Sequence, residues 1–181
     1  MDLQKRQELD TMFERDSFHI KTSALGGNGV FSKKHIPKGS LIKTLSGEMV
    51  TEQQCLERIN DGQENYDDPF QIEEGDTVMD RKYIDLDELS RTFNHSCSPN
   101  AGIRNVSDLI AIEDIRAGQE ITYDYSTTVG LAETLFAMEC RCGADNCRGV
   151  IENVDTLSEA EIGRYLELNV LPAYIKRLIF A

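Results

Sequence analysis

The stretch RTFNHSCSPN, residues Arg91 to Asn100, sets an amide, an imidazole, a hydroxyl and a thiol in consecutive positions, Asn94-His95-Ser96-Cys97. The chain has only 3 histidines and no tryptophan, so the grouping asks for a reason. Two readings compete: a polar hydrogen-bonded turn, and a junction between two sites. The partners available to Cys97 separate them. There are 5 cysteines, Cys55, Cys97, Cys140, Cys142 and Cys147, and the last three share the segment CRCGADNC, in a C-x-C-x4-C spacing. Structural zinc takes four ligands in a tetrahedron, commonly all thiolates, so this segment lacks one. Cys55 lies within a predicted helix beside Leu56 and Ile59, where a small buried thiol is the simplest reading. Cys97 lies in an irregular polar turn, the better geometry for a ligand. Zinc is therefore assigned to Cys97, Cys140, Cys142 and Cys147, a site that ties the quartet to the C-terminal region. Such a site contributes on the order of 10 kcal/mol to folding.

The whole chain sets wider bounds. At 181 residues it is long enough for one domain with a buried core. It is 40% hydrophobic and 28% charged, an ordinary globular balance. No apolar run reaches the length of a membrane span, and no membrane partner is expected. The stretch MDLQKRQELDTMFERDS is charged throughout and has no secretory core, so the expected location is intracellular, where thiols stay reduced. Lysine and arginine total 19 against 32 acids, a net charge of −13. That balance argues against direct nucleic-acid binding, which needs cations to displace phosphate counterions. An acidic surface instead draws in cationic partners.

Local patterns place the motifs. FHIKTS alternates as a half-buried strand, with Phe18 and Ile20 on the apolar side. GGNGVF is a glycine-rich turn entering a second strand, and IPKGSLIKTLSGEMV reads as a turn followed by a strand. Thr51 and Gln54 have capping-box spacing at the head of the helix TEQQCLERIN, which Asp61-Gly62 ends. FQI, KYIDL, DLIAIEDI and EITYDYS read as strands. Ser158 and Glu161 form a second capping box, and Pro172 suits the first turn of a last helix, PAYIKRLIF. The fold class is mainly β with short helices and a small helical tail, whose apolar faces suit a substrate groove, a second subunit or, as the simplest reading, the chain's own core. In EITYDYS, strand alternation puts Tyr123 and Tyr125 on one face with Ile121, while Thr122 and Asp124 point away.

GGNGVF, RTFNHSCSPN, EDIRAGQEITYDYS and CRCGADNCRG follow one another in the order found in SET-domain lysine methyltransferases with a post-SET zinc segment. The chain resembles that family over roughly residues 17 to 152. It looks most like the compact, stand-alone members of bacterial type. The resemblance implies a lead segment at 1–16, a SET domain at 17–137, a post-SET zinc segment at 138–152 and a helical tail at 153–181. It also implies small β-sheets around a pseudoknot, with S-adenosylmethionine on one face and a lysine channel opening on the other.

By the family pattern the turn Gly27-Asn28-Gly29 holds the methionine end of the donor through main-chain groups. Asn94 meets the donor's ammonium or carboxylate, His95 meets the adenine largely through its backbone, and Arg91 lies near the donor. Tyr125 takes the catalytic position, with Tyr123 beside it in the channel. Family members carry tyrosine or phenylalanine at the Tyr123 position. A tyrosine hydroxyl there occupies volume and holds water, which implies a bias toward monomethylation. Relatives often have a tyrosine in the stretch that reads DDPFQI here, where Pro69 and Phe70 stand instead; Tyr66 is the nearby substitute.

The implied activity is methyl transfer from S-adenosylmethionine to lysine on a basic protein such as a histone. Two other readings fit the same residues: a SET-like module that binds peptide or donor without turnover, and a methyltransferase acting on a small-molecule amine. The subunit number is left open.

Overall fold

The computed structural model describes residues 14, 16–62, 69–73, 80–130 and 137–180. Tyr66 falls outside them, as do most of the lead segment and residues 131–136. Among the described residues twelve short strands form five small sheets, with short helices between and after them. The mainly β class read from the sequence is the one found.

β1 (Phe18–Thr22) and β2 (Asn28–Ser32) form an antiparallel hairpin around the glycine turn. Gly26 and Gly27 there take φ of 117° and 57°, values that L side chains rarely adopt. β2 is the inner strand of this pair. Its far edge accepts from the amide of Ile121 and donates from the amide of Ser32 to Gln119. Val30 is consequently shut away completely, whereas Ile20, opposite it on the outer strand, is 42% exposed. The alternation in FHIKTS thus predicts the strand but overstates burial of Ile20, because β1 is an edge.

β3 (Leu41–Thr44), β9 (Asp108–Ala111) and β8 (Ala101–Arg104) make a second sheet in the order β3-β9-β8. β4 (Gly47–Thr51), β6 (Lys82–Leu86) and β5 (Pro69–Glu73) make a third in the order β4-β6-β5. Helix α1 (Glu52–Asn60) begins at the expected capping box, with Thr51 and Gln54 satisfying each other's amides. Cys55 on α1 is buried beside Val50 and Tyr83, a packing thiol as the sequence suggests. A one-turn helix, α2 (Glu88–Arg91), then delivers the chain to β7 (Asn94–His95).

β7 pairs in parallel with β10 (Thr122–Tyr123), which places Asn94 opposite Thr122 and His95 opposite Tyr123. The strand expected over EITYDYS stops there. Asp124 turns its carboxylate back to accept from the Ser126 amide at 3.1 Å, and Tyr125–Thr128 winds into a 3-10 turn. Asn100 clips this region: its amide donates to the Glu120 carbonyl at 2.7 Å and its oxygen accepts from the Thr122 amide at 3.0 Å. β11 (Met138–Glu139) and β12 (Val150–Ile151) bracket the cysteine segment as a small antiparallel pair.

The tail forms α3 (Glu159–Glu167), opened by the Ser158–Glu161 capping box, and α4 (Ala173–Ile179). Pro172 is the residue before α4 rather than inside its first turn. Tyr165, Val170, Leu171, Tyr174 and Ile175 bury themselves against Ile110 and Ile112, so the tail covers the sheet of its own chain. Gly102 on β8 makes that contact possible. A Cβ at residue 102 would lie 2.8 Å from the Cβ and Cγ2 of Val170. Gly102→Ala is therefore expected to cost about 1–3 kcal/mol by overpacking. Because Val170 is the cause, Gly102→Ala with Val170→Ala should cost less than the two singles summed. Urea unfolding of the four proteins checks this, and strict additivity would contradict the contact.

Candidate functional site

Asp124 sits at the centre of the region where the sequence motifs converge. It is 1% exposed. Arg148 donates to both its oxygens, Nη2 to Oδ1 at 2.6 Å and Nη1 to Oδ2 at 2.7 Å. The Tyr165 hydroxyl donates to Oδ2 at 2.8 Å. A buried carboxylate without such donors would be strongly disfavoured. One acid thus joins three stretches: the tyrosine segment that carries it, the cysteine segment through Arg148, and the tail through Tyr165. Arg148 also reaches Ser126 Oγ at 3.1 Å and Glu161 at 3.2 Å.

His95 packs between this acid and the sulfurs. Its Nδ1 accepts from the Tyr125 amide at 3.2 Å and lies 3.6 Å from Asp124 Oδ1. Burial holds its pKa down to about 4, against the pull of Asp124 and with the help of Arg148. With Nδ1 an acceptor, the proton of the neutral ring is on Nε2, which points at Cys97 Sγ 3.3 Å away.

Three of the four expected ligands, Cys97, Cys140 and Cys142, share one cluster with His95, while Cys147 lies beside Cys140 and outside that group. Cys97 and Cys140 sulfurs are 3.7 Å apart and those of Cys140 and Cys147 are 3.5 Å apart. The Cys97 amide donates to Cys142 Sγ at 3.5 Å, and the Arg148 amide donates to Cys97 Sγ at 3.4 Å. Burial raises the thiols of Cys97 and Cys140. Burial also opposes ionisation of Cys142, but amides of Cys97 and Ala144 and the neighbouring sulfurs outweigh it and bring that thiol to about 7. Ligand atoms of His95, Cys97, Cys140 and Cys142 all lie within 4.8 Å of one another, so this cluster can hold a metal ion.

Tyr125 borders a cavity of about 100 Å³, lined also by Leu25, Asn94, His95, Met138–Cys142 and Ile151. Its hydroxyl donates to the Phe93 carbonyl at 2.7 Å. The Tyr123 ring lies 4.9 Å away, centroid to centroid. Burial raises the Tyr123 hydroxyl well above its usual pKa, with Tyr125 adding to the effect, and that hydroxyl has no hydrogen-bond partner among the described residues.

The Gly27-Asn28-Gly29 turn is held against the same cavity wall. Asn94 Nδ2 donates to the Asn28 carbonyl at 2.9 Å and to Glu120 Oε1 at 2.7 Å. Both partners only accept, so the nitrogen of the amide must face them and its oxygen must face away. Gly29 has to be glycine for this packing: a Cβ there would fall 2.0 Å from Glu120 Oε1. Arg91 is not brought to the cavity. Its guanidinium donates to the Leu86 carbonyl at 2.8 Å and to Asp85 at 2.6 Å. Arg148, Tyr165, Asn100 and Glu120 escaped the reading of the sequence. Only Arg148 carried a signal, as the neighbour of a proposed ligand.

Comparison with known proteins agrees with this geometry. Residues 27–126 match the family described as the SET domain. The chain is 34% identical over 147 residues to the mouse histone-lysine N-methyltransferase NSD3, across 75% of this chain and 10% of that protein. It is 32% identical over 155 residues to the Schizosaccharomyces pombe histone-lysine N-methyltransferase specific for H3 lysine 9, across 68% of this chain and 30% of that protein. It therefore spans less than a third of either relative. Among solved structures it is similar in fold to a humanized mutant of the Chaetomium thermophilum Polycomb Repressive Complex 2. The TM-score is 0.52 at 21% identity, over 62% of this chain and 15% of that one.

The Asp124 junction has measurable consequences. Arg148→Met leaves a buried carboxylate without its cation and is expected to cost about 3–5 kcal/mol. Tyr165→Phe removes one hydrogen bond to a charged group and should cost about 1.5–3 kcal/mol. Denaturant titration checks both, and a neutral Arg148→Met would contradict the junction.

Proposed function

The chain belongs to the SET-domain family, and we propose on that footing that it is a protein-lysine N-methyltransferase using S-adenosylmethionine. One observation carries the proposal: Tyr125, with the Tyr123 ring packed behind it, lines a cavity together with Asn94, whose amide is bonded to the glycine turn. The donor is expected to enter from that turn. Asn94 presents only its oxygen, an acceptor, which suits the donor's ammonium and not its carboxylate. At about 100 Å³ and open to one side, the cavity takes one end of the donor and leaves the rest to extend along the surface.

The donor supplies a methyl on a cationic sulfur. A lysine ammonium has no lone pair, and with an ordinary lysine pKa of ~10.4 only about one in a thousand is neutral at pH 7.4. An apolar channel and a nearby sulfonium both lower that pKa. The amine nitrogen then bonds to the methyl carbon as the carbon–sulfur bond breaks, the sulfur keeping the pair. Because its proton is engaged by the Phe93 carbonyl, the Tyr125 oxygen can meet a bound amine only as an acceptor. It acts as an acceptor that orients amine and methyl in line, and alignment of this kind carries much of the rate. The unpartnered Tyr123 hydroxyl holds water in the channel and favours monomethylation.

The metal reading is a structural zinc on Cys97, Cys140, Cys142 and Cys147. A zinc–sulfur distance of about 2.3 Å gives a tetrahedral edge of about 3.8 Å, near the 3.5 Å and 3.7 Å separations seen. His95 competes with Cys147 by distance. Its Nδ1, however, is committed to the Tyr125 amide, which leaves a proton rather than a lone pair on Nε2, so it donates to Cys97 instead of ligating. Zinc there would cross-link residue 97 to the segment between β11 and β12.

The substrate fitting a net charge of −13 is a lysine-rich basic protein, and a histone is the natural first test given the names of the relatives. Free thiols at a metal site fit a reducing, intracellular setting.

Incubation with methyl-labelled donor and histones should label a lysine. Tyr125→Phe should lower the rate about 100-fold or more. Equal labelling by both proteins would remove Tyr125 from the mechanism, and donor binding without labelling would favour a binding module. Tyr123→Phe should shift the product from mono- toward di- and trimethyllysine in mass spectra. One equivalent of zinc per chain is expected by elemental analysis; its removal should free residues 138–151 to exchange amide hydrogens before the β-sheets do.

A further inference from the structure

Glu120 lies behind Asn94, a residue of the cavity wall, although nothing in its local pattern distinguishes it from a solvated acid. Its backbone is pinned beside β2, through the bridge to Phe31 and the bond from the Ile121 amide to Val30. Its side chain runs beneath Gly29, in the space a Cβ would fill. There Oε2 accepts from Ser23 Oγ at 2.8 Å and Oε1 accepts from Asn94 Nδ2 at 2.7 Å. Ser23 is buried, and its hydroxyl oxygen also accepts from the Leu25 amide at 2.9 Å. The carboxylate thus ties Ser23, at the head of the glycine turn, to Asn94 on β7.

We propose that Glu120 is the positioning residue that makes this site selective for the α-ammonium of the donor, an inference that rests on the methyltransferase reading. Asn94 has two amide protons. One goes to the Asn28 carbonyl and the other to Glu120, so neither is left for a ligand. That leaves its oxygen as the amide atom available to a ligand, and the carboxylate behind it strengthens that oxygen as an acceptor. The negative charge also favours a cation at that spot. The other charges lining the cavity, Glu139 and Arg141, neutralise each other at 2.6 Å. Without Glu120, one Asn94 proton is released, and turning the amide over sacrifices one hydrogen bond instead of two. The site would then accept a ligand carboxylate nearly as well as an ammonium.

The test is calorimetric binding of S-adenosylhomocysteine and of its deaminated analogue, which lacks the α-amine, to wild type, Glu120→Ala and Glu120→Gln. Wild type should prefer the amine-bearing compound by about 10- to 100-fold. In Glu120→Ala the preference should fall to about 3-fold or less. Glu120→Gln can still accept from Asn94 and donate to Ser23, so it should fold as wild type does and lose only part of the preference. In turnover, KM for the donor should rise in Glu120→Ala while kcat stays near wild type, because the ammonium is remote from the transferring methyl. Equal weakening of both compounds, with the ratio kept, would reduce Glu120 to a support and overturn the proposal. If Glu120→Ala does not fold, an unchanged ratio in Glu120→Gln overturns it equally. Wild type that binds neither compound would instead refute the donor assignment itself.

Discussion

The paired hydrogen bonds between Arg148 and Asp124 hold this structure's functional region together. An acid at 1% exposure is tolerable only if its charge is matched and its lone pairs are filled. Two guanidinium bonds, a tyrosine hydroxyl and a backbone amide fill them. Since Asp124 lies between Tyr123 and Tyr125, satisfying it fixes the backbone that aims both rings. Since Arg148 follows Cys147, the same pair registers the cysteine segment against the tyrosines. The cost of burying two charges is thereby turned into geometric definition: no small displacement of one segment leaves both ions paired.

The quartet Asn94-His95-Ser96-Cys97 is a junction because β7 turns successive side chains to different neighbours. Asn94 faces the glycine turn and Glu120. His95 bridges the Tyr125 amide to the Cys97 sulfur. Cys97 faces the cysteine segment, where two backbone amides already point at sulfurs. Amide donors of this kind stabilise thiolate over thiol, and so does a bound cation; the site is electrostatically arranged for metal even where burial alone raises the thiols. The motif therefore carries polarity that changes over a few ångströms, from an acceptor at the cavity to soft sulfur behind it.

How much of this was legible depended on whether the determinant was local. Both capping boxes were, because Thr51 with Gln54 and Ser158 with Glu161 satisfy amides within one turn. The cysteine cluster was legible from spacing, and the Tyr123–Tyr125 pairing from the two-residue period of a strand. The true extent of that strand was not, because Asp124 ends it by a side-chain bond to Ser126 that competes with extended pairing. Ile20 had the right pattern but the wrong place, on an outer strand where alternation does not guarantee cover. Arg91 matched a motif, yet its guanidinium is taken by Leu86 and Asp85 on its own approach to β7. Arg148, Tyr165 and Glu120 act through partners 24, 41 and 26 residues away, and no periodicity encodes such distances.

The tail belongs to the same logic. The family match ends at residue 126, yet the 3-10 turn that follows Tyr125 is closed by groups beyond it. Tyr174 donates to the Thr128 carbonyl, Tyr165 to Asp124, and the Val154 amide to Val129. A turn this short has weak internal bonds and would fray if left in water. Burying it under α3 and α4 substitutes aromatic hydroxyls for solvent at Asp124 and Thr128. The helices are thus better understood as the support of the Tyr125–Thr128 turn than as an appendage, and the absence of a side chain at Gly102 is what lets them seat against β8.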